Sequence, residues 1–298
     1  MCTRTKRVGL TRADVLLLTA VLMLSVAAAL PALAESQETA RRTRCQQNLQ
    51  TISAAIQHYA DINDDYLPDC HRFKAPLRGW LTLLLPYIGQ QQIYDSYNWE
   101  HDWFHPDNQK LGACRLDIVL CPSTPSPDRQ LTGDISGVNF KVAAADYVAT
   151  HGFTDALIPA VFPAGTVRLG ALPVDEKKKR CEIPDGLSTT LLLTESSGRP
   201  QIWRNGVMEN VVPPNEKNGW AAWNGNYVRG FSPDGRVSPG PCAINCTNSN
   251  TAYSFHPEGA FGILGDGSVR MLGKNLDVYV FYALVTREGG ETIAQADF

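Results

Sequence analysis

The chain has 298 residues, enough for one large domain or two small ones, and its 19% of charged residues and formal net charge of −3 leave no basic excess of the kind that grips nucleic acid. Its 24 Gly, 19 Pro and plentiful aromatics favour a loop-rich β domain over a helical bundle. The eight cysteines, at positions 2, 45, 70, 114, 121, 181, 242 and 246, contain no C-x2-C pair, and in an exported protein they are read as disulfides.

The N-terminus sets the compartment. Arg4, Lys6 and Arg7 precede an uncharged run of twenty residues, Val15 to Ala34. As a helix that run spans roughly 30 Å, the thickness of a bilayer core. The basic flank predicts a cytoplasmic N-terminus with the rest of the chain outside the inner membrane. Ala32-Leu33-Ala34 also fits a signal-peptidase cut, but the apolar run is long for a signal core. Whether the segment is cut after Ala34 or left intact stays open.

Beyond the apolar run no proline occurs until Pro68, and Leu49, Ile52, Ile56, Tyr59 and Ile62 recur at steps of three and four. That spacing predicts a helix reaching about Ala60, bent near Pro31, with its outer half laid against a sheet. Arg41, Arg42 and Arg44 read as a solvated face and His58 as a surface histidine. "RGWLTLLLPYIGQQQIYDSYNW" predicts a shorter amphipathic helix broken by Pro86. "LDIVLCPSTP" predicts a short strand ending in a turn, and "ADYVATHG" another. Residues 155–182 read as a solvated loop. In "EIPDGLSTTLLLTESSGRP" a turn leads into a β run ended by Glu195, a carboxylate more simply a polar terminus than a catalytic group. Residues 205–250 look like long loops that carry Trp220 and Trp223, close to Trp203 in sequence, and a C-x3-C pair, Cys242 and Cys246, able to close a local disulfide.

Near the end stands "SFHPEGAFGILGDGSVRML", in which His256, Glu258 and Asp266 have ligand or catalytic chemistry while the pattern spells a hairpin. Phe261 and Ile263 alternate on one strand, Val269 and Met271 on the next, and Asp266-Gly267 predicts a two-residue turn. The His256 imidazole is expected to bond a backbone carbonyl or Asp266 and so hold the loop.

The N-terminal segment resembles the start of a type IV prepilin or pseudopilin. Gly9 stands as the last leader residue, Leu10 as the first mature one, Asp14 at the acidic fifth mature position and Pro31 where pilin helices kink; Arg12 and Leu10 depart from the pattern. In order, "ARRTRCQQNLQTISAAIQHY", "LLLPYIGQQQIYDSYN", "VLCPSTP", "IPDGLSTTLLLTE", "CAINCTN" and the His256–Asp266–Gly267 block together resemble a large bacterial family of prepilin-like exported proteins of unassigned function, sometimes labelled solute-binding, recognised by a His, nine residues and Asp-Gly. The resemblance implies export, an α+β fold with a long pilin-like helix on a β-rich head, and no catalytic residues.

The expected organisation is therefore a basic leader over 1–9, a pilin-like helix over 10–64 with its membrane segment at 15–34, and an exported head over 65–298. The expected role is a non-enzymatic, membrane-anchored assembly subunit of a filament or secretion apparatus, with prepilin peptidase and neighbouring pilin-like subunits as partners. The alternative is a surface-tethered module holding a glycan or small solute on Trp203, Trp220 and Trp223. No nucleophile elbow, metal triad or phosphate loop accompanies His256, so no metal or cofactor is expected. The carboxylates also lack calcium-loop spacing.

Overall fold

The computed structural model describes residues 11–154, 165, 167–209, 218–294 and 297–298, without the side chains of 26–29. The chain divides into two compact units between Arg41 and Arg42. One helix, α1 (Arg12–Ile62), crosses that division. Gly9 and Leu10 lie outside the described residues.

In the first unit α1 begins with a reciprocal cap. The Thr11 amide and hydroxyl donate to the Asp14 carboxylate, and the Asp14 amide donates to the Thr11 hydroxyl. This satisfies amides that have no partner inside the helix. Thr19 and Ser25 turn their hydroxyls onto the carbonyls of Leu16 and Val21, so the apolar stretch hides its few polar groups within itself. Pro31 lies inside the helix.

The second unit is α+β. Arg42–Ile62 of α1 supplies its first layer: Cys45, Leu49, Ile52, Ala55, Ile56 and Tyr59 are buried in the larger core cluster. Ile62 breaks the expected stripe at 58% exposure, because the helix ends there and the chain turns through Asp64 and Asp65 in left-handed conformations. Two short strands, β1 (His71–Arg72) and β2 (Arg78–Gly79), pair antiparallel. The expected amphipathic helix is a 3-10 segment over Trp80–Ile88, ended by Gly89 with φ 74°, followed by α2 (Gln91–Ser96) and α3 (Pro106–Gly112). The strand expected at "LDIVLC" is a 3-10 turn over Asp117–Val119. Strands β3 (Gln130–Ile135) and β4 (Val138–Ala143) form a hairpin of their own.

The main sheet is built from β5 (Tyr147–Phe153), β6 (Leu191–Glu195), β9 (Gly225–Val228), β10 (Gly259–Leu264) and β11 (Val269–Gly273), in the order β11-β10-β6-β5-β9; β7 (Ile202–Arg204) and β8 (Val207–Glu209) pair separately. All pairings in the sheet are antiparallel except β5 with β9. The central strands are buried on both faces, and alternation decides which core each side chain enters. Phe261 and Ile263 join the cluster containing α1, whereas Ala260, Leu264 and Leu272 join a second cluster with α4 (Val278–Val285). Helices thus cover both faces of the sheet.

In β10–β11, Phe261 lies opposite Met271 and Ile263 opposite Val269, so the expected residues alternate together, but the register is one residue from the one a two-residue turn at Asp266-Gly267 would set. The turn differs. Leu264 N–H donates to Ser268 O, Gly267 N–H to Leu264 O, and of the loop only Gly267 takes a positive φ, 89°. This is a three-residue loop closed by a left-handed glycine, not a two-residue turn with both centres left-handed.

Candidate functional site

Four side chains of ligating type meet inside the second unit: Cys45 from α1, Cys121 from the loop after the 3-10 turn, Glu195 from the last position of β6, and His256 from the loop before β10. Their ligating atoms all lie within 4.8 Å of one another, and all four residues are buried. Cys45 Sγ donates to Glu195 Oε1 at 3.2 Å, and Cys121 Sγ lies 3.3 Å from His256 Nε2. Nε2 of His256 is 4.0 Å from Glu195 Oε1.

Each member is held by its own element. Cys45 sits one helical turn before Leu49, so the apolar stripe of α1 carries it into the core. Its sulfur lies 3.1 Å from the Tyr147 hydroxyl at the start of β5. Glu195 uses Oε2 to accept from Phe261 N–H at 2.8 Å, which leaves Oε1 facing the thiols. His256 receives support along its backbone: its N–H donates to Ser254 Oγ, its carbonyl accepts from Asn245 Nδ2, and its ring meets Phe261 edge-on at 5.8 Å.

Cys121 depends on a buried ion pair. Asp146 accepts two bonds at 2.8 Å from Arg129, and the same carboxylate accepts from the amides of Cys121 and Gly198. Arg129 also donates to the carbonyls of Arg199 and Ser126. One satisfied carboxylate thereby fixes the Cys121 loop beside the chain that follows Glu195.

The electrostatics are those of a dry, crowded site. Burial pushes the Glu195 carboxyl well above its usual range, helped by the nearby Cys121 sulfur. Burial likewise raises Cys45 and Tyr147. Cys121 goes the other way, down to about 5, because the adjacent Cys45 and the His256 imidazole favour its thiolate. Of the two thiols, Cys121 is the one that gives up its proton readily. Chemically the group can coordinate a metal ion, or its two cysteines can oxidise. A surface cavity of about 290 Å³ reaches Cys121, between Arg44 and Asn48 of α1 and the 115–127 loop.

The sequence-expected residues fall out as follows. His256 belongs to the site, but Asp266 does not: it is exposed, and its carboxylate accepts from the amide and hydroxyl of Ser268 in the turn. The expected His256–Asp266 link is thus replaced by one from His256 to Cys121. Gly267 docks the turn on α1, its carbonyl accepting from Ser53 at 2.7 Å. Trp220 is fully buried and donates to Cys114 O, so it offers no face to a sugar. Trp203 packs edge-on against Phe255, and Trp223 against Phe73. Cys242 and Cys246 are joined with Cα atoms 6.3 Å apart, but Cys45, Cys70, Cys114, Cys121 and Cys181 are free thiols, so the expected disulfide framework reduces to one bridge among the described residues.

The structure thus assembles four groups of ligating chemistry, of which Cys45 and Cys121 carry no mark of a shared site in their local sequence. One signal of burial was present: Cys45 continues the Leu49–Ile52–Ile56 stripe backwards by four residues. A second group, His101, His105 and Asp107, is partly exposed and is occupied in capping α3.

A family model described as protein of unknown function (DUF1559) matches residues 35–279, a span containing all four cluster residues. The chain belongs to this family. No curated protein and no solved structure matches it. The family match begins past the apolar stretch, so it covers the second unit as far as residue 279 and leaves most of the first to be read on its own.

Proposed function

We propose that the chain is a pilin-like, membrane-anchored assembly subunit and not an enzyme. Its first unit lies in the inner membrane with the N-terminus cytoplasmic, and its second unit is exported as a head. The observation that carries the reading is the apolar half of α1. It contains an 18-residue window of hydropathy 2.4, none of it buried. Val15, Leu16, Leu17, Leu18, Val21, Leu22, Met23, Leu24, Leu30 and Leu33 are all exposed, although the same helix beyond Arg42 is core. Water does not tolerate such a surface, whereas lipid and neighbouring helices of the same kind do.

Asp14 supports a place at the membrane edge. Its cap with Thr11 keeps the carboxylate satisfied, and in an assembled filament a neighbouring subunit's N-terminal amine would compete for the same oxygens. Prepilin peptidase acting at Gly9 and packing against pilin-like helices follow from this reading. The glycan-binding alternative draws nothing from Trp220, which is inside the fold.

The test is N-terminal sequencing of the mature protein combined with membrane fractionation. A membrane-bound product starting at Leu10 is expected. A soluble product starting at Glu35 would overturn the proposal.

A further inference from the structure

We propose that Cys45, Cys121, Glu195 and His256 form a closed structural site for a zinc-class divalent cation, which fastens α1 to the sheet and loops of the head. The donor set comes first. Two sulfurs, one imidazole nitrogen and one carboxylate oxygen are what a borderline-soft, tetrahedral ion takes. The spacing fits: with bonds of about 2.0–2.3 Å, the ligand atoms of a tetrahedral zinc site stand about 3.3–3.8 Å apart. Three of the separations, 3.2, 3.3 and 4.0 Å, lie close to that range, and no pair exceeds 4.8 Å.

Burial completes the argument. A carboxylate, two thiols and an imidazole share an interior shielded from solvent, an expensive arrangement for groups that offer mostly acceptors once ionised. A divalent cation would neutralise two of the three anionic charges. The groups around the site are already placed to support the metal-bound form. The Tyr147 hydroxyl lies against Cys45, and Phe261 N–H fixes the second carboxylate oxygen. The amide of Cys121 is fixed by Asp146. Such supporting contacts orient ligands and set their basicity. All four positions are filled by protein, which marks a structural rather than a catalytic site. The cavity between α1 and the 115–127 loop gives an ion a path to Cys121.

The competing chemistry is a Cys45–Cys121 disulfide. Cys242 and Cys246 are joined, while Cys45 and Cys121, although they also interact with each other, are free thiols in contact with the Glu195 carboxyl and the His256 imidazole. On binding, Cys45, Cys121 and Glu195 coordinate as anions, so the protons these three groups hold pass to solvent and no oxidant is needed.

The test uses the full-length protein in detergent, purified without chelator. Elemental analysis is expected to find about one zinc per chain. Exchange into cobalt(II) should give the intense visible absorption of a tetrahedral cobalt thiolate. Cys121→Ser and Glu195→Gln should abolish that spectrum, and Cys114→Ser, Cys181→Ser and the pair His101→Ala/His105→Ala should retain it. Measuring the unmodified chain keeps the test decisive even if a variant fails to fold. A zinc-free protein that takes no cobalt overturns the proposal. So does a peptide map showing Cys45 cross-linked to Cys121, or metal lost only on changing His101 and His105.

Discussion

His256 and Asp266 define one signature in the sequence but do separate work in the fold. His256 is buried against Cys121 and Glu195, and its removal leaves a cavity and strands two polar groups in a dry site. His256→Ala is expected to cost about 2–4 kcal/mol. Asp266 is exposed and loses two local bonds to Ser268, so Asp266→Ala should cost about 1 kcal/mol or less. Urea denaturation of the two variants checks the contrast, and equal costs would restore a direct His–Asp link.

His71 makes a pH argument at the same scale. Burial lowers it to about 4, against the partly offsetting carboxylate of Asp175 and with Arg78 pushing the same way. A folded pKa below the unfolded value near 6.5 means the unfolded chain binds more protons between the two. The fold therefore keeps this contribution above about pH 6.5 and loses it on acidification towards pH 4, by on the order of 3 kcal/mol in all. Comparing denaturation midpoints at pH 7.5 and 5 for the native chain and His71→Gln isolates the effect, because Glu195 and the cluster thiols titrate alike in both. The variant should show the smaller drop. The identity of this histidine as a buried group was not legible: nothing in "PDCHRFK" marks it as inside.

At the scale of elements, periodicity carried far where one face of an element decides its place. The α1 stripe and the strands β5, β6, β10 and β11 follow from apolar composition and spacing, although the β10–β11 register does not, because the turn is one residue longer than expected. The reading failed where long-range polar groups set the backbone. "LDIVLC" has strand composition, but Asp146 accepts the Cys121 amide and its own amide donates to Val119 O, so this run's hydrogen bonds are taken outside any ladder. The four-residue cluster was illegible for a related reason. Its members stand at positions 45, 121, 195 and 256, and only the packing of α1, the loop after the 3-10 turn, β6 and the loop before β10 brings them together. The turn offers an element-level test. Gly267 holds φ 89°, a conformation that penalises a β-branched residue, so Gly267→Val should lower stability by about 1–2 kcal/mol. Gly273, at the far end of β11, has open space around a Cβ and no positive φ; Gly273→Ala should stay within about 0.5 kcal/mol of the native chain. Thermal melts of the two variants decide it.

For the whole molecule the division between Arg41 and Arg42 makes two truncations unequal. Removing residues 1–41 takes away the exposed apolar surface and leaves Cys45, Leu49, Ile52 and Ile56 in the core. The remaining chain should be soluble, monodisperse and cooperatively folded. Removing residues 1–62 deletes that layer. Leu49, Ile52 and Ile56 are fully buried, and together they contribute about 5–9 kcal/mol of apolar burial, comparable to the about 5–15 kcal/mol that holds a whole domain. The loss also uncovers Phe261, Ile263 and Leu193 on the sheet and removes the donor from Ser53 to the Gly267 carbonyl. The longer truncation should therefore aggregate or melt without a cooperative transition, as read by size-exclusion chromatography and near-UV circular dichroism. A folded, monomeric product from it would mean that the outer half of α1 is an appendage to the head instead of one of its layers, and that the helix serves the anchor alone.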